Sequence, residues 1–193
     1  MHEVRVPAVG SKALDFELPD SGGVSRRLSE MVAERPVALV FYRGHWCPFC
    51  LRQLTEYQRH FADFEASGAG VVAVSVDEPG RSAALRRRLG LAFPILCDVE
   101  RRVARAWELY NPAEMGGVFL PATFVVAPDL TVRFAATERM TRRFGAAEVL
   151  AFHRGQGAPS TRALFPGPRQ VALAVWNVVT AGAQPLPARG SEK

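Results

Sequence analysis

Apolar and polar positions along the chain follow two periods. Val37-Ala38-Leu39-Val40-Phe41-Tyr42 and Val71 to Val76 are continuous apolar runs. Runs this short predict strands buried on both faces, as in the middle of an α/β sheet. From Cys47 to about Phe64 the period changes. Cys50, Leu51, Leu54, Tyr57, Phe61 and Phe64 recur every three or four residues, with Arg52, Gln53, Glu56, Arg59 and Asp63 between them. That spacing predicts one amphipathic helix, stopped by Gly68 and Gly70. A helix from about Ser82 to Leu89, ending at Gly90, is expected next. A short strand over Phe93 to Cys97 and a helix around Arg101 to Trp107 follow.

Two further pairs of extended runs flank this centre. Phe16 to Leu18 and Val24 to Leu28 surround the turn residues Pro19 to Gly23, which predicts an N-terminal hairpin, with a short helix from Ser29. Thr123 to Val126 and Thr131 to Ala135 are joined at Pro128-Asp129, too short a link for anything but an antiparallel pair. Phe144 to His153 reads as a closing helix. Parallel units first and an antiparallel pair last give an α/β fold with a central mixed sheet flanked by helices. We expect this domain over 9–155 and a Pro-containing C-terminal extension over 156–193. The prolines there are Pro159, Pro166, Pro168, Pro185 and Pro187. The extension's apolar run, Gln170 to Ala181, is compatible with a strand, a helix or a covered dimer face.

At 193 residues, 48% hydrophobic and 22% charged, the chain can bury an ordinary core. The net charge of +5 comes almost wholly from arginine, the only lysines being Lys12 and Lys193. Arg26-Arg27, Arg86 to Arg88, Arg101-Arg102 and Arg142-Arg143 are scattered and read as surface. Without a basic stripe interleaved with aromatics, nucleic acid is not an expected partner. Met1 to Gly10 lacks the apolar stretch of a signal peptide, and Val171 to Ala183 is too short to span a bilayer. The three cysteines are Cys47, Cys50 and Cys97, an odd count that argues against a secreted disulfide scaffold. A cytoplasmic, reducing location is expected, with no membrane partner.

The chemistry concentrates where the first buried strand meets the long helix, at Tyr42-Arg43-Gly44-His45-Trp46-Cys47-Pro48-Phe49-Cys50. Cys47 falls at the helix N-terminus, where unpaired backbone N–H groups and the helix dipole favour an anion. The thiolate is that anion and is the nucleophile. Pro48 suits the first turn. Cys50, one turn on, faces the same side and lies deeper on the apolar face, so Cys47 attacks and Cys50 resolves. Two inert core cysteines would not explain this placement. Zinc, with His45 and Cys97 recruited, lacks a second Cys-x-x-Cys, so no metal is expected. Leu120-Pro121-Ala122-Thr123-Phe124 places a proline just before a core strand, which a cis peptide bond would explain. Cys97 reads as a buried, unreactive thiol, with a second resolving role as the lesser alternative. Trp107 and Trp176 read as core or interface residues.

These segments resemble the peroxiredoxin-like branch of the alkyl hydroperoxide reductase/thiol-specific antioxidant (AhpC/TSA, redoxin) family of the thioredoxin superfamily. The resemblance rests on Val9-Gly10-Ser11 with Asp15-Phe16, Tyr42 to Cys50, Phe93 to Leu96 followed by Asp98, and Leu120 to Phe124. It runs from about Val9 to His153. It implies a thioredoxin-like fold, Cys47 as the peroxidatic cysteine, Cys50 as the second thioredoxin cysteine, and Pro121 as the cis-proline facing them. Val40 and Gly44 stand where ordinary peroxiredoxins carry Pro and Thr, and Pro121 stands where they carry the active-site arginine. His45 or Arg43 are the candidates to replace those groups, and Trp46 and Pro48 complete the supporting set. The implied activity is a dithiol–disulfide cycle that reduces a hydroperoxide or a disulfide. A thioredoxin-like protein or a low-molecular-weight thiol would return the electrons. No cofactor is expected, since no Gly-rich phosphate loop is evident. A redox-sensing, partner-binding protein with little turnover is the alternative, kept open by the apolar run after Gln170, and a homodimer is compatible with either.

Overall fold

The computed structural model describes residues 6–139, 142–157, 162–163 and 165–181. The hairpin opens the order with β1 (Glu17–Pro19) and β2 (Ser25–Arg27), followed by α1 (Leu28–Val32). Then come β3 (Val37–Phe41), α2 (Pro48–Arg59), α3 (Phe61–Ala66), β4 (Gly70–Ser75), α4 (Pro79–Leu89), β5 (Ile95–Cys97) and α5 (Arg102–Ala106). A small pair, β6 (Tyr110–Asn111) and β7 (Val118–Phe119), leads to β8 (Ala122–Val126) and β9 (Val132–Thr137). The last described elements are β10 (Arg142–Arg143), α6 (Ala146–His153), β11 (Arg162–Ala163) and α7 (Pro168–Ala181).

The central sheet has five strands in the order β5-β4-β3-β8-β9. β3 pairs parallel with β4 and antiparallel with β8, so the sheet is mixed as expected. All five residues of β3 are buried because both faces of the sheet are covered. Val37, Leu39 and Phe41 face a cluster built on the hairpin, α1 and Trp107, while Ala38, Val40 and Tyr42 face α2 and α6. Period-2 alternation is invisible in a strand with two apolar faces, which is why its signature was an unbroken run. Trp107 fills the first cluster, with ring centroids 5.1 Å from both Phe41 and Phe124.

Several element boundaries differ from the expectations. The long helix breaks at His60, whose φ of −98° and ψ of 7° end α2 and start α3. α4 begins at Pro79, a residue suited to the first helical turn, and ends where Gly90 adopts φ +64°. The extension's apolar run forms a helix, α7, which packs on α2. Residues 182–193, with Pro185 and Pro187, lie outside the described residues, as do Pro159 and Met1 to Arg5. Every peptide bond among the described residues is trans, so the cis-proline at Pro121 is a correction. Pro121 precedes β8, whose first paired residue is Ala122, so its missing N–H removes no ladder bond and no cis geometry is needed. No helix among the described residues is long and apolar enough to cross a membrane.

Candidate active site

β3 delivers the chain to the end of the sheet, and Tyr42 N–H still donates to Val74 O (3.0 Å). A turn closed by Cys47 N–H on Gly44 O (3.1 Å) then brings Cys47 to the N-cap of α2. Cys47 has extended backbone, as an N-cap requires, and Pro48 occupies the first turn. The Cys47 sulfur takes the capping place that an oxygen usually holds, accepting the Cys50 N–H at 3.4 Å. Cys47, Cys50 and Cys97 are all free thiols.

Two arginines reach the sulfurs. Arg43 Nη1 lies 3.8 Å from Cys47 Sγ, and Arg143 Nη2 lies 3.5 Å from Cys50 Sγ. Arg43 is held by Glu114, with Nε at 2.7 Å and Nη2 at 2.6 Å from Oε2, and its guanidinium stacks 4.7 Å above the Trp46 ring. The Cys47 pKa drops from 9.0 to about 6. The hydrogen bond from the Cys50 thiol contributes most, and Arg143, the Cys50 N–H and Arg43 add to it against the cost of burial. Cys50 moves the other way, well above the ordinary thiol range. Burial drives that shift first, then the hydrogen bond to Cys47 and the negative charge there. The pair is thus polarised into one thiolate and one thiol. Both sulfurs are fully buried, with 0% exposure.

His45 sits in the turn as a clamped residue. Asp77, just beyond the end of β4, accepts its backbone N–H at Oδ2 (2.8 Å) and meets its Nδ1 at Oδ1 (2.7 Å). Asn177 of α7 donates to the His45 carbonyl at 2.6 Å. A cavity of about 400 Å³ borders this turn, lined among others by His45, Trp46, Asp77, Arg81, Arg101 and Val178. Gly44 leaves no room for a side chain, since a Cβ there would sit 2.7 Å from Trp46 Nε1 at φ +154°. A Thr at this position is therefore excluded by the indole, and the Arg43 guanidinium is the polar group on the Cys47 sulfur instead.

The structure thus brings Arg43, His45, Trp46, Cys47, Pro48 and Cys50 together at one end of the sheet. Pro121 lies at the same end, because Ala122 pairs with Phe41. Cys97 does not join them. It ends β5, two strands from β3, and burial pushes its thiol up. Arg143 is a correction to the surface reading of Arg142-Arg143. Arg142 is exposed and Arg143 fully buried, because the two-residue strand β10 turns alternate side chains to opposite sides. Glu114, Glu138, Gln53 and Asn177 were equally unforeseen. Asp77 alone had a signal: an acid at the carboxyl end of a parallel strand stands where α/β sheets place their sites.

The AhpC/TSA family model matches residues 9–135. Relatives include a putative peroxiredoxin of Mycobacterium tuberculosis, 36% identical over 62% of this chain and 78% of its own length. The thiol-disulfide oxidoreductase ResA of Geobacillus kaustophilus is 35% identical, over 70% of this chain and 72% of its own. Among solved structures, the peroxidoxin BcpB of Mycobacterium tuberculosis superposes with a TM-score of 0.64 at 23% identity, covering 92% of this chain and 97% of that one. At that identity the superposition establishes the thioredoxin-like architecture.

Proposed function

The chain belongs to the AhpC/TSA family and is a thiol-dependent, peroxiredoxin-like oxidoreductase; from that premise we propose that Cys47 is its attacking thiolate and Cys50 the thiol that resolves it. The observation that supports this most is the polarised pair at the head of α2. A thiol with a pKa of about 6 is ionised at neutral pH, and its neighbour keeps its proton. Attack on a hydroperoxide forms an S–O bond as the O–O bond breaks, leaving a sulfenic acid on Cys47 and releasing water or an alcohol. Cys50 then condenses with it, expelling water and forming the Cys47–Cys50 disulfide. A thioredoxin-like protein or a small thiol restores the dithiol.

A hydroperoxide fits better than a protein disulfide because both sulfurs are buried beside Arg43, Trp46 and Glu114, so a small oxidant needs a smaller opening of this cover than a protein partner does. The second reading, disulfide exchange, is favoured by the Cys-x-x-Cys spacing itself and by the thiol-disulfide oxidoreductase relative. Arg43 supplies the positive charge beside the reacting sulfur, and His45, through Asp77, holds the turn in shape. Residues 9–155 form the redoxin unit and 156–193 the extension. A compartment with reduced thiols suits the resting dithiol. Cys47→Ser is expected to abolish reduction of hydrogen peroxide and of a small disulfide alike. Cys50→Ser is expected to react once and hold a sulfenic acid that a dimedone adduct reveals by mass. Undiminished turnover in Cys47→Ser would remove Cys47 from the role. The ratio of the rates with hydrogen peroxide and with oxidised glutathione decides between the two substrate classes.

A further inference from the structure

Arg143 is a fully buried cation at the cysteine pair. It is completely inaccessible, and the carboxylate that faces it, Glu138, is inaccessible too, 3.8 Å from Nη1. Burying such a pair carries a desolvation cost that its mutual attraction does not always repay, and cores are often as stable with an apolar pair of similar volume. The surrounding bonds hold the guanidinium in a fixed direction. Arg143 Nη1 donates to Gln53 Oε1 at 3.0 Å, and Gln53 Nε2 donates to both Glu138 oxygens at 3.2 and 3.1 Å. Thr123 Oγ1 and the Phe144 N–H fill Glu138 Oε1 at 2.9 and 3.0 Å. With Nη1 on Gln53, Nη2 is aimed at the Cys50 sulfur.

Resting on the proposed roles of the two cysteines, we infer that Arg143 is a catalytic residue of the resolving step, stabilising negative charge on the Cys50 sulfur as it attacks oxidised Cys47. Glu138 and Gln53 are its positioning residues. The reason lies in how charge moves through the cycle. In the resting dithiol, the Cys47 thiolate draws on Arg43 and Arg143 together, and its charge keeps Cys50 protonated. Once Cys47 is a sulfenic acid that charge is gone. With Cys47 a neutral sulfenic acid, the Arg143 guanidinium faces Cys50 as the remaining thiol, at hydrogen-bond distance, and a charge-assisted bond to it favours the thiolate. The Cys50 proton leaves with the hydroxyl of the sulfenic acid as water, the S–O bond breaks and the S–S bond forms. One guanidinium therefore serves first one sulfur and then the other, without moving.

The test separates the two chemical steps in the full chain. Reduced protein is mixed with hydrogen peroxide and its tryptophan fluorescence followed, Trp46 being next to Cys47. The phase whose rate scales with peroxide reports oxidation of Cys47; the phase independent of peroxide reports disulfide closure. Arg143→Met is expected to slow closure by about tenfold or more and to let the dimedone-reactive sulfenic acid accumulate, while the first phase falls less because Arg43 remains. Arg143→Lys is expected to recover part of the closure rate. Arg143→Met strands the Glu138 carboxylate and endangers folding, so the double variant Arg143→Met/Glu138→Gln, which leaves no unpaired buried charge, carries the same measurement. Closure at the wild-type rate in the double variant, with no sulfenic acid accumulating, overturns the inference and leaves the network a structural one. A first phase that survives in Cys47→Ser instead overturns the cysteine roles, and that outcome is independent of anything seen at Arg143.

Discussion

At Gly44, the absence of a side chain decides how the site is built. The indole of Trp46 occupies the space a Cβ would need, and the backbone has φ +154°. Gly44→Ala is expected to displace Trp46, release the Arg43 stack and destabilise the fold by about 1–3 kcal/mol, read from the thermal midpoint and the tryptophan emission maximum. An unchanged emission spectrum would contradict the tight approach. Arg43 is the other decisive residue at this scale, being bonded at once to Cys47, Glu114 and Trp46. Arg43→Met is expected to raise the Cys47 pKa by up to about one unit, followed by thiolate absorbance at 240 nm. No movement of the titration would mean that Arg143 and the helix N-terminus hold the thiolate unaided. The segment from Tyr42 to Cys50 was legible because strand end, Pro48 and cysteine spacing are local signals. Arg143 and Glu138 were not, because a buried charge reached through tertiary contact looks like any surface charge in the sequence.

At the scale of elements, the sheet was readable and the accessories were not. Both central strands stood out because their apolar runs exceed what a solvated segment tolerates, and the antiparallel pair because the Pro128-Asp129 link is so short. The break at His60 left no trace, since Phe61 and Phe64 continue the helical period across it. α7 shows what the extension does to α2. Asn177, 7% exposed, donates to the His45 carbonyl and accepts from Arg88 Nη1 at 2.8 Å, tying α7 to the turn before Cys47 and to α4. Removing a buried group with two such bonds costs about 1–3 kcal/mol. Asn177→Ala is therefore expected to loosen α7 and raise the rate of Cys47 alkylation by iodoacetamide. Equal alkylation rates in variant and wild type would show that α7 does not shelter the site.

For the molecule as a whole, the depressed Cys47 pKa links redox state to stability. A group whose pKa falls on folding stabilises the fold when ionised, and that contribution fades as the pH drops through its folded value. Between pH 8 and about 6 the dithiol form is expected to lose about 2 kcal/mol relative to the disulfide form, which has no thiolate to protonate. Denaturant unfolding of both forms at each pH measures the difference, and parallel pH curves would contradict it. For the proposed Cys47–Cys50 disulfide the same linkage predicts a comparatively oxidising bond, since whatever stabilises the thiolate opposes closing it. The site owes its position to the topology. β3 pairs parallel on one side and antiparallel on the other, and its carboxyl end, with that of β4, carries the cysteine turn and Asp77. The role of Cys47 is tested most directly by the pH dependence of the second-order rate at which hydrogen peroxide oxidises the reduced protein, measured beside Cys47→Ser. With Cys47 as the attacking thiolate, the rate follows a single ionisation near pH 6, reaches a plateau at neutral pH and vanishes in the variant. A midpoint near the ordinary thiol value of 9.0, or a rate that persists without Cys47, would contradict it.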